Sequence, residues 1–179
     1  RAQGWDIDIQ AHRRHGGRVL GLCAGYQMLG RSVADPQGIE GPPETVPGLG
    51  LLEVETVLAG DKALTLVEGT DHATGARLRG YEMHVGVTTG TDTGRPMLTL
   101  AGGRADGAVS ADGTVQGCYM HGLFAADGFR GAYLAGLRKG RSASAVRYEE
   151  LVDRTLDALA DHLERALQVA RPCERGQDH

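Results

Sequence analysis

The chain of 179 residues lacks several features that would assign it to a common class of protein. No hydrophobic run approaches the roughly 18 residues of a membrane-spanning helix, and no signal-peptide pattern is present. The three cysteines, Cys23, Cys118 and Cys173, are too widely spaced for a disulfide framework or a paired-cysteine zinc site. The formal net charge of -4 argues against a general attraction to nucleic acid or anionic lipid. These absences predict a cytoplasmic protein with no metal site and no nucleic-acid or membrane partner.

The sequence also lacks GxxxxGKS/T and a GxGxxG run after a strand, so it predicts no nucleotide phosphate loop. Hydrophobic residues make up 41% and charged residues 23%, which is ordinary for a globular protein. The length predicts a single domain over residues 1–170, followed by a frayed polar tail over residues 171–179. The chain begins with Arg1, in what resembles the middle of a structural unit, so we expect an upstream part.

Apolar patterning predicts a helix, a strand and a second helix around Cys23. Residues 1–15 predict a helix that ends at the paired glycines 16–17. The apolar run of residues 18–23 is typical of a buried parallel strand, and residues 24–30 favour a helix. Cys23 is therefore predicted to lie at the turn from a strand into a helix.

The middle of the chain predicts a loop followed by short strands. Residues 34–50 contain four of the six prolines and are predicted to form a long loop. Residues 49–57 and 80–86 alternate as strands do. In the second of these strands, Glu82 and His84 are predicted to share a face.

A hairpin and a long helix are predicted in the second half of the chain. The hairpin covers residues 106–117 with its turn at Asp112-Gly113, and residues 118–121 continue its second strand. The helix is C-terminal, and its apolar stripe recurs every three or four residues. The members of this stripe are Val152, Leu156, Leu159, Leu163 and Leu167.

The sharpest local feature is Gly21-Leu22-Cys23-Ala24-Gly25, which has the form of a nucleophile elbow with cysteine at its centre. Glycines two residues before and after the cysteine let the chain bend tightly and expose the thiol. The N-terminus of the following helix offers free N–H groups and a positive dipole end, which favour the reactive thiolate. The N–H group of Ala24 is suited to hold an oxyanion. The alternative is a buried, unreactive cysteine at a crowded turn.

A cysteine nucleophile needs a base, and two of the seven histidines are candidates. His121 follows a predicted strand directly, and active sites of open parallel sheets lie at the carboxyl ends of strands. His84 lies within a predicted strand, on the same face as Glu82. For either histidine, the alternative is a residue held by local hydrogen bonds without a catalytic role. The placement of Cys23 and His121 at two strand ends favours this pair.

Several runs of this sequence resemble, in order, the glutamine amidotransferase domain of the cobyric acid synthase family. They are GLCAGYQMLG at residues 21–30, DPQGIEG at 35–41, GLGLL at 48–52, ET at 55–56, GYEMHVG at 80–86, DGA at 106–108 and YMHGLF at 119–124. Together these landmarks cover about residues 18–137, and their shared order is far more specific than the elbow alone. The YQMLG stretch favours this family over the sibling cobyrinic acid a,c-diamide synthases.

The resemblance implies an α/β fold of the class I, triad-type glutamine amidotransferases, which is flavodoxin-like. We expect a mostly parallel sheet flanked by helices, with antiparallel strands concentrated in residues 50–117. By resemblance, Cys23 is the nucleophile that attacks the glutamine carboxamide, and His121 passes a proton to the leaving ammonia. Ala24 stands where the family often has glycine, and its N–H would serve the oxyanion. Gln27 is implied to contribute to the same oxyanion and substrate site.

The resemblance also implies a glutamine-hydrolysing ligase that works with a partner domain. The ammonia would pass to a synthetase domain, where ATP and Mg²⁺ activate corrin side-chain carboxylates for amidation in cobalamin biosynthesis. No cofactor is expected in this chain itself. The synthetase domain and the first strand of the amidotransferase domain are expected upstream, so we expect an N-terminally truncated domain. The loop after that first strand normally supplies a second oxyanion donor.

The sequence departs from the wider class I pattern at one catalytic position. A glutamate normally lies two residues after the histidine, and here that position is Leu123. The resembled family lacks this acid, so the group that orients His121 is open. Glu82 or a residue of a partner domain is the hypothesis, with His84 as a further pocket candidate.

Three alternatives to this function stay open from the sequence. One is another triad-type amidotransferase, such as a cobyrinic acid a,c-diamide synthase or a peptidoglycan-precursor amidase. The second is a truncated, non-catalytic remnant that binds a partner, although the presence of both Cys23 and His121 argues against lost chemistry. The third is a hydrolase that uses the same elbow on an ester, which requires a third acidic residue that the sequence does not place.

Overall fold

The computed structural model describes residues 2–60, 64–137 and 146–167. The chain divides into two compact units, Arg1–Ser144 and Ala145–His179, and each is described by itself. The predicted domain limit at residue 170 and the predicted tail over residues 171–179 lie outside the described residues.

The first unit contains three α-helices, twelve short strands and three 3-10 turns among its described residues. The helices are α1 (Trp5–Arg14), α2 (Ala24–Leu29) and α3 (Asp127–Leu137). The strands are β1 (Val19–Leu22), β2 (Ser32–Asp35), β3 (Glu44–Pro47), β4 (Val54–Val57), β5 (Thr65–Asp71), β6 (Arg77–Glu82), β7 (Val87–Gly90), β8 (Leu98–Leu100), β9 (Ala105–Asp106), β10 (Ala108–Val109), β11 (Val115–Cys118) and β12 (Met120–His121). The 3-10 turns are Thr91–Gly94, Ala101–Gly103 and Leu123–Ala125.

The predicted helix–strand–helix order around Cys23 is confirmed. Acidic residues lie in the first turn of α1 and basic residues in its last turn, which complements the helix dipole. The helix ends at Arg14, His15 is its C-cap residue, and Gly16 follows with a left-handed φ of 81°. The paired glycines therefore end this helix as the sequence predicts.

A three-stranded sheet carries the elbow, in the order β1-β11-β10. β1 and β11 are parallel, with Leu22 opposite Cys118, while β10 and β11 form an antiparallel hairpin. Gly113 in the hairpin turn has a φ of 71°, a left-handed value that glycine adopts freely. The predicted hairpin and its turn are confirmed.

A second sheet has four strands in the order β3-β2-β4-β7. The predicted loop over residues 34–50 is wrong at residues 44–47, which form the strand β3 and pair antiparallel with β2. Pro47 is accommodated because β3 is an edge strand, where a missing N–H breaks no ladder bond on its outer side. The alternation predicted around residues 52–56 is confirmed in β4, in which Val54 and Thr56 are buried.

The third sheet is antiparallel and has five strands in the order β12-β6-β5-β8-β9. The strand predicted over residues 80–86 ends at Glu82, so His84 lies beyond it and the predicted strand is wrong there. The continuous strand predicted over residues 118–121 is also wrong. The chain leaves the three-stranded sheet at Cys118 and joins this sheet at Met120.

The α/β class is confirmed, but the strand parallelism is mixed rather than mostly parallel. Among the described residues, the parallel pairs are β1 with β11 and β2 with β4, and the other seven pairs are antiparallel. Short connections such as the β5–β6 turn leave no room for a crossover, so they produce antiparallel neighbours. The expected concentration of antiparallel strands in residues 50–117 is confirmed.

Two hydrophobic clusters hold the first unit together. Successive residues of β1 serve different clusters: Val19 packs against the one that contains Tyr26, while Leu20 packs against the one that contains Phe129. Since successive side chains of a strand point to opposite faces, β1 is covered by apolar side chains on both faces. Such coverage is typical of a parallel strand at the centre of an α/β fold.

The second unit contains one described helix, α4 (Tyr148–Leu167), of 20 residues. This helix covers the predicted apolar stripe, so the C-terminal helix is confirmed. Two acidic residues, Glu149 and Glu150, lie in its first turn, where their negative charges interact favourably with the positive end of the helix dipole. None of the helices in the described ranges is long and apolar enough to cross a membrane.

Candidate active site

Cys23 lies at a strained turn between β1 and α2. Its φ of 53° and ψ of -118° make it the one non-glycine residue with positive φ among the described residues. Its N–H donates to the Cys118 carbonyl oxygen at 2.9 Å, which ties the elbow to the end of β11. A strained residue held by its surroundings is a mark of functional sites, and this geometry matches a nucleophile elbow.

The glycines beside Cys23 have different reasons to be glycine. A Cβ on Gly21 would lie 2.6 Å from both the Gly25 carbonyl oxygen and the Leu29 Cδ1 atom. Any larger residue at position 21 would therefore push α2 away from β1. A Cβ on Gly25 would meet no atom within 4 Å, so space at that position does not require glycine.

The Cys23 thiol is partly exposed, and its environment leaves it accessible to a substrate. Its Sγ atom makes a weak hydrogen bond to the Met83 carbonyl oxygen at 3.6 Å. Ala24 is the first residue of α2, and the N–H groups of the first helical turn have no intrahelical acceptor. The Ala24 N–H therefore lies at the N-terminus of α2, next to Cys23, and its predicted oxyanion role stays a prediction.

Cys118, by contrast, is fully buried, and burial raises the pKa of its thiol. A raised pKa disfavours the thiolate, which is the nucleophilic form. Of the two cysteines in the described residues, Cys23 is therefore the one suited to attack a substrate.

His121 lies in β12 directly opposite Tyr81 of β6. The imidazole and the Tyr81 ring are stacked, with centroids 4.8 Å apart and planes 2° from parallel. The His121 Nε2 atom is buried, and among the described residues it has no hydrogen-bond partner. A buried nitrogen without a partner is costly unless a substrate or another group pairs with it, so this atom is suited to a catalytic proton transfer.

Cys23 and His121 converge on one short segment of the chain. The thiol contacts the carbonyl oxygen of Met83, and the imidazole stacks on Tyr81, two residues earlier. Residues two apart in extended chain are about 7 Å apart. The Cys23 thiol donates its hydrogen bond to the Met83 carbonyl oxygen and not to His121. In enzymes without bound substrate, the nucleophile and its base are often farther apart than a hydrogen bond.

Glu82 does not orient His121 in this structure. It lies opposite Met120, whereas His121 lies opposite Tyr81, so the Glu82 and His121 side chains point to different faces of the sheet. The buried Glu82 carboxylate forms a two-pronged ion pair with Arg104, with one Nη1–Oε1 distance of 3.1 Å. This ion pair raises the pKa of Arg104. Glu82 therefore stabilises the sheet and leaves the orientation of His121 to another group.

His84 follows Met83, whose carbonyl oxygen accepts from the Cys23 thiol, and its predicted pocket role stays a prediction. Its ring stacks on Tyr119, with centroids 3.7 Å apart and planes 15° from parallel. Its Nδ1 atom is buried and has no hydrogen-bond partner among the described residues. Since β6 ends at Glu82, the predicted shared strand face of Glu82 and His84 is wrong. The stacked His84 ring holds its own segment of the chain, residues 83–85, against Tyr119.

Gln27 is buried and its amide nitrogen is already bonded within the protein. Nε2 donates to the Val85 carbonyl oxygen at 3.0 Å and to the Tyr119 hydroxyl at 3.2 Å. These bonds connect α2 to the 83–85 segment that contacts the Cys23 thiol. The structure therefore places Gln27 behind the site, where it holds the segment around the thiol in place.

A chain of buried and half-buried hydroxyl groups extends from Gln27 into the neighbouring sheet. Tyr119 Oη is 2.5 Å from Thr88 Oγ1, which is 2.7 Å from Thr56 Oγ1. Tyr119 also packs edge-on against Tyr26, whose pKa is raised by burial and by Tyr119. A satisfied polar network of this kind fixes one arrangement of the surrounding core.

The role of Asp106 is not predicted by the sequence patterns. Its buried carboxylate accepts the N–H of Tyr119 through both oxygens, at 3.1 and 3.2 Å, and the N–H of Met120 at 3.1 Å. Burial raises the pKa of Asp106, while the bonds from Tyr119 and Met120 act in the opposite direction. Asp106 thus holds the point where the chain passes from β11 to β12 and so places His121. The sequence gives little signal for this role, because the same hairpin contains a second acidic residue, Asp112, and several other polar residues.

The described residues contain no group of three His, Cys, Asp or Glu side chains that is suited to hold a metal ion. The site consists instead of a thiol, an imidazole and a helix N-terminus. These groups are sufficient for acyl transfer through a covalent intermediate.

Comparison with a solved structure defines the class to which this fold belongs. A structure described as "Crystal structure of glutamine amidotransferase" aligns with a TM-score of 0.51 over 75% of this chain and 68% of that chain, at 18% identity. The first unit thus has the α/β fold of a glutamine amidotransferase. Residues 1–129 match the family described as the CobB/CobQ-like glutamine amidotransferase domain. The chain belongs to this family.

Curated relatives agree with the family match. The cobyric acid synthase of Cereibacter sphaeroides is 58% identical over 170 residues, and that of Methylorubrum populi is 60% identical over 167 residues. These alignments cover 95% and 93% of this chain but only 35% and 34% of the two relatives. The chain therefore spans about a third of the length of the curated relatives it matches.

Proposed function

We propose that this chain hydrolyses glutamine to glutamate and ammonia through a thioester on Cys23. The observation that carries the proposal is the convergence of a strained, partly exposed thiol and His121 on residues 81–83. Membership of the amidotransferase family supports glutamine as the substrate.

Each group in the site has a task in this reaction. The Cys23 thiolate attacks the carboxamide carbon of glutamine, and the electron pair of the C=O bond moves to the oxygen. The Ala24 N–H stabilises this oxyanion. His121 then gives its proton to the departing nitrogen, which leaves as ammonia and yields the γ-glutamyl thioester.

The second half of the reaction restores the enzyme. His121, now neutral, takes a proton from a water molecule, which attacks the thioester carbon. The thiolate leaves, and glutamate is released. The sum of the steps is glutamine and water to glutamate and ammonia, with the Cys23–His121 pair returned to its first state.

We further propose that the ammonia serves the synthetase portion of a longer protein in the cytoplasm. In that portion, ATP and Mg²⁺ would activate corrin side-chain carboxylates so that ammonia converts them into amides. The relatives named cobyric acid synthase support this proposal, since this chain aligns with about a third of their length. Neither ATP nor Mg²⁺ is assigned to residues of this chain.

Glutamate and ammonia release by the purified 179-residue chain tests the proposal. We expect Cys23→Ala to lower the rate by about 10³-fold or more, and His121→Ala by about 10²–10⁴-fold. Cys118→Ala is the matched control, because it removes the other described thiol while the Cys118 carbonyl still accepts from Cys23. Equal loss in both cysteine variants, or a rate unchanged by Cys23→Ala, would contradict the proposal.

A further inference from the structure

The histidine of a cysteine–histidine pair needs a group that fixes its ring, and two acidic residues beside β12, Glu82 and Asp106, are engaged elsewhere. Leu123, two residues after His121, is apolar and buried in the core. Glu82 points to the other face of the sheet and pairs with Arg104. The Asp106 carboxylate accepts backbone N–H groups of Tyr119 and Met120.

The group that does contact the imidazole is the ring of Tyr81. The planes of the two rings are 2° from parallel, and their centroids are 4.8 Å apart, which is the distance of an offset stack. Tyr81 and His121 are direct partners in the register between β6 and β12. The backbone pairing and the ring contact therefore place the same two residues together.

Gly80 allows the two strands to approach closely at this pair, and Gly122 supplies a left-handed turn directly after His121. A Cβ on Gly80 would overlap the His121 carbonyl oxygen, so no other residue fits at position 80 without moving β12. Gly122 has a φ of 88°, and a Cβ there would lie 3.4 Å from the Gly80 Cα. Glycine thus lies on the chain beside each member of the stacked pair, and the close backbone contact limits how far the rings can separate.

We propose that Tyr81 is the positioning residue for His121, with an aromatic stack in the place of a hydrogen-bonded carboxylate. This inference rests on the proposed function, because it names the residue that orients His121, which carries the proton in that reaction. A stack fixes the plane of the imidazole without occupying a ring nitrogen. It therefore leaves Nε2 free, which agrees with the unpartnered state of that atom among the described residues.

Two substitutions at position 81 separate the ring from its hydroxyl. Tyr81→Phe keeps the stack, whereas Tyr81→Leu removes it. We expect Tyr81→Phe to retain kcat for glutamine within about 3-fold and Tyr81→Leu to lose about 10–100-fold, because misplaced catalytic groups cost rates of this size. The KM for glutamine should change little in either variant, since Tyr81 is not placed on the substrate. Leu66→Ala is the matched control, because Leu66 is the other cross-strand neighbour of Tyr81 and is exposed.

Proton NMR of the His121 ring supplies a readout that does not depend on activity. Protons above an aromatic face resonate upfield, so the His121 ring signals, assigned by their loss in His121→Gln, should move downfield in Tyr81→Leu. They should stay close to the wild-type position in Tyr81→Phe. Unmoved His121 signals in Tyr81→Leu, or a wild-type kcat in that variant, would overturn the positioning role. If the wild-type chain itself released no glutamate, the proposed function would fail, while the NMR shift would still decide the stack.

Discussion

At the scale of single residues, the site depends on a few backbone positions that local contacts hold. A left-handed φ at a residue with a Cβ costs about 1–3 kcal/mol, and Cys23 has such a φ. The bond from its N–H to the Cys118 carbonyl and the close packing of Gly21 against α2 hold it there. In this backbone conformation the thiol contacts the Met83 carbonyl oxygen.

Asp106 fixes the backbone directly before His121, because its carboxylate accepts the N–H groups of Tyr119 and Met120. Asp106→Ala leaves the buried N–H groups of Tyr119 and Met120 without their acceptor, which costs about 1–3 kcal/mol of unfolding free energy. We expect lower stability in urea denaturation and a lower glutaminase kcat. Asp106→Asn keeps one acceptor oxygen and should lie between the wild type and Asp106→Ala. The same stability and kcat in Asp106→Ala as in the wild type would show that Asp106 does not hold the β11–β12 junction.

Asp112 allows a test of the pH dependence of stability. Bonds from Ser110 and Thr114 lower the pKa of its carboxyl, and Arg13 acts in the same direction. A lowered pKa stabilises the fold above the usual aspartate value of about 3.9, and this contribution is lost as the pH falls below it. We expect the wild type to exceed Asp112→Asn in Tm at pH 7, and the difference to narrow at pH 3. If the Tm difference between the wild type and Asp112→Asn stayed constant or grew between pH 7 and pH 3, the stabilising role of the ionised Asp112 carboxylate would be contradicted.

At the scale of secondary-structure elements, the contact between β6 and β12 is the one that places the histidine. Its closeness depends on Gly80, whose hydrogen faces the His121 backbone. The two-residue strand β12 is therefore held by its partner and by Asp106 rather than by its own length.

Gly80→Ala should separate these two strands. The added methyl overlaps the His121 carbonyl oxygen, so β12 has to move, and such overpacking costs about 1–3 kcal/mol. We expect lower thermal stability together with a reduced kcat for glutamine. Gly94→Ala is the matched control, because a Cβ at position 94 meets no atom within 4 Å. Equal effects of the two substitutions would argue against a special approach at Gly80.

The elements that the sequence predicts best are those with a strong local pattern. The apolar run before Cys23, the helix after it and the stripe of α4 are local features, and the structure has all three. The break between β11 and β12 has no such pattern. Cys118, Tyr119 and Met120 are all buried, and their unbroken run of large or apolar side chains predicts one continuous strand. The cause of the break is the carboxylate of Asp106, which lies 13 residues before Tyr119. Short sequence windows do not contain a contact of that kind.

At the scale of the whole molecule, the fold class followed from motif order and the strand parallelism did not. The landmarks from residue 21 to residue 124 predicted an amidotransferase fold, and the family match over residues 1–129 agrees with it. The two candidate residues Cys23 and His121 came from the sequence. The stack of His121 on Tyr81 and the engagement of Glu82 by Arg104 depend on β-strand register, which only the structure shows.

The proposed function requires a glutamine pocket around a reactive Cys23, and covalent labelling tests for this pocket directly. The chain would be treated with a glutamine-mimicking diazoketone and, separately, with a plain alkylating agent, and read by intact mass and peptide mapping. The proposed function predicts rapid, single labelling of Cys23 by the mimic, protection by glutamine, and no labelling in Cys23→Ala. Labelling of Cys23 by the plain agent but not by the mimic would contradict it, because the thiol would then be accessible without a site that binds glutamine.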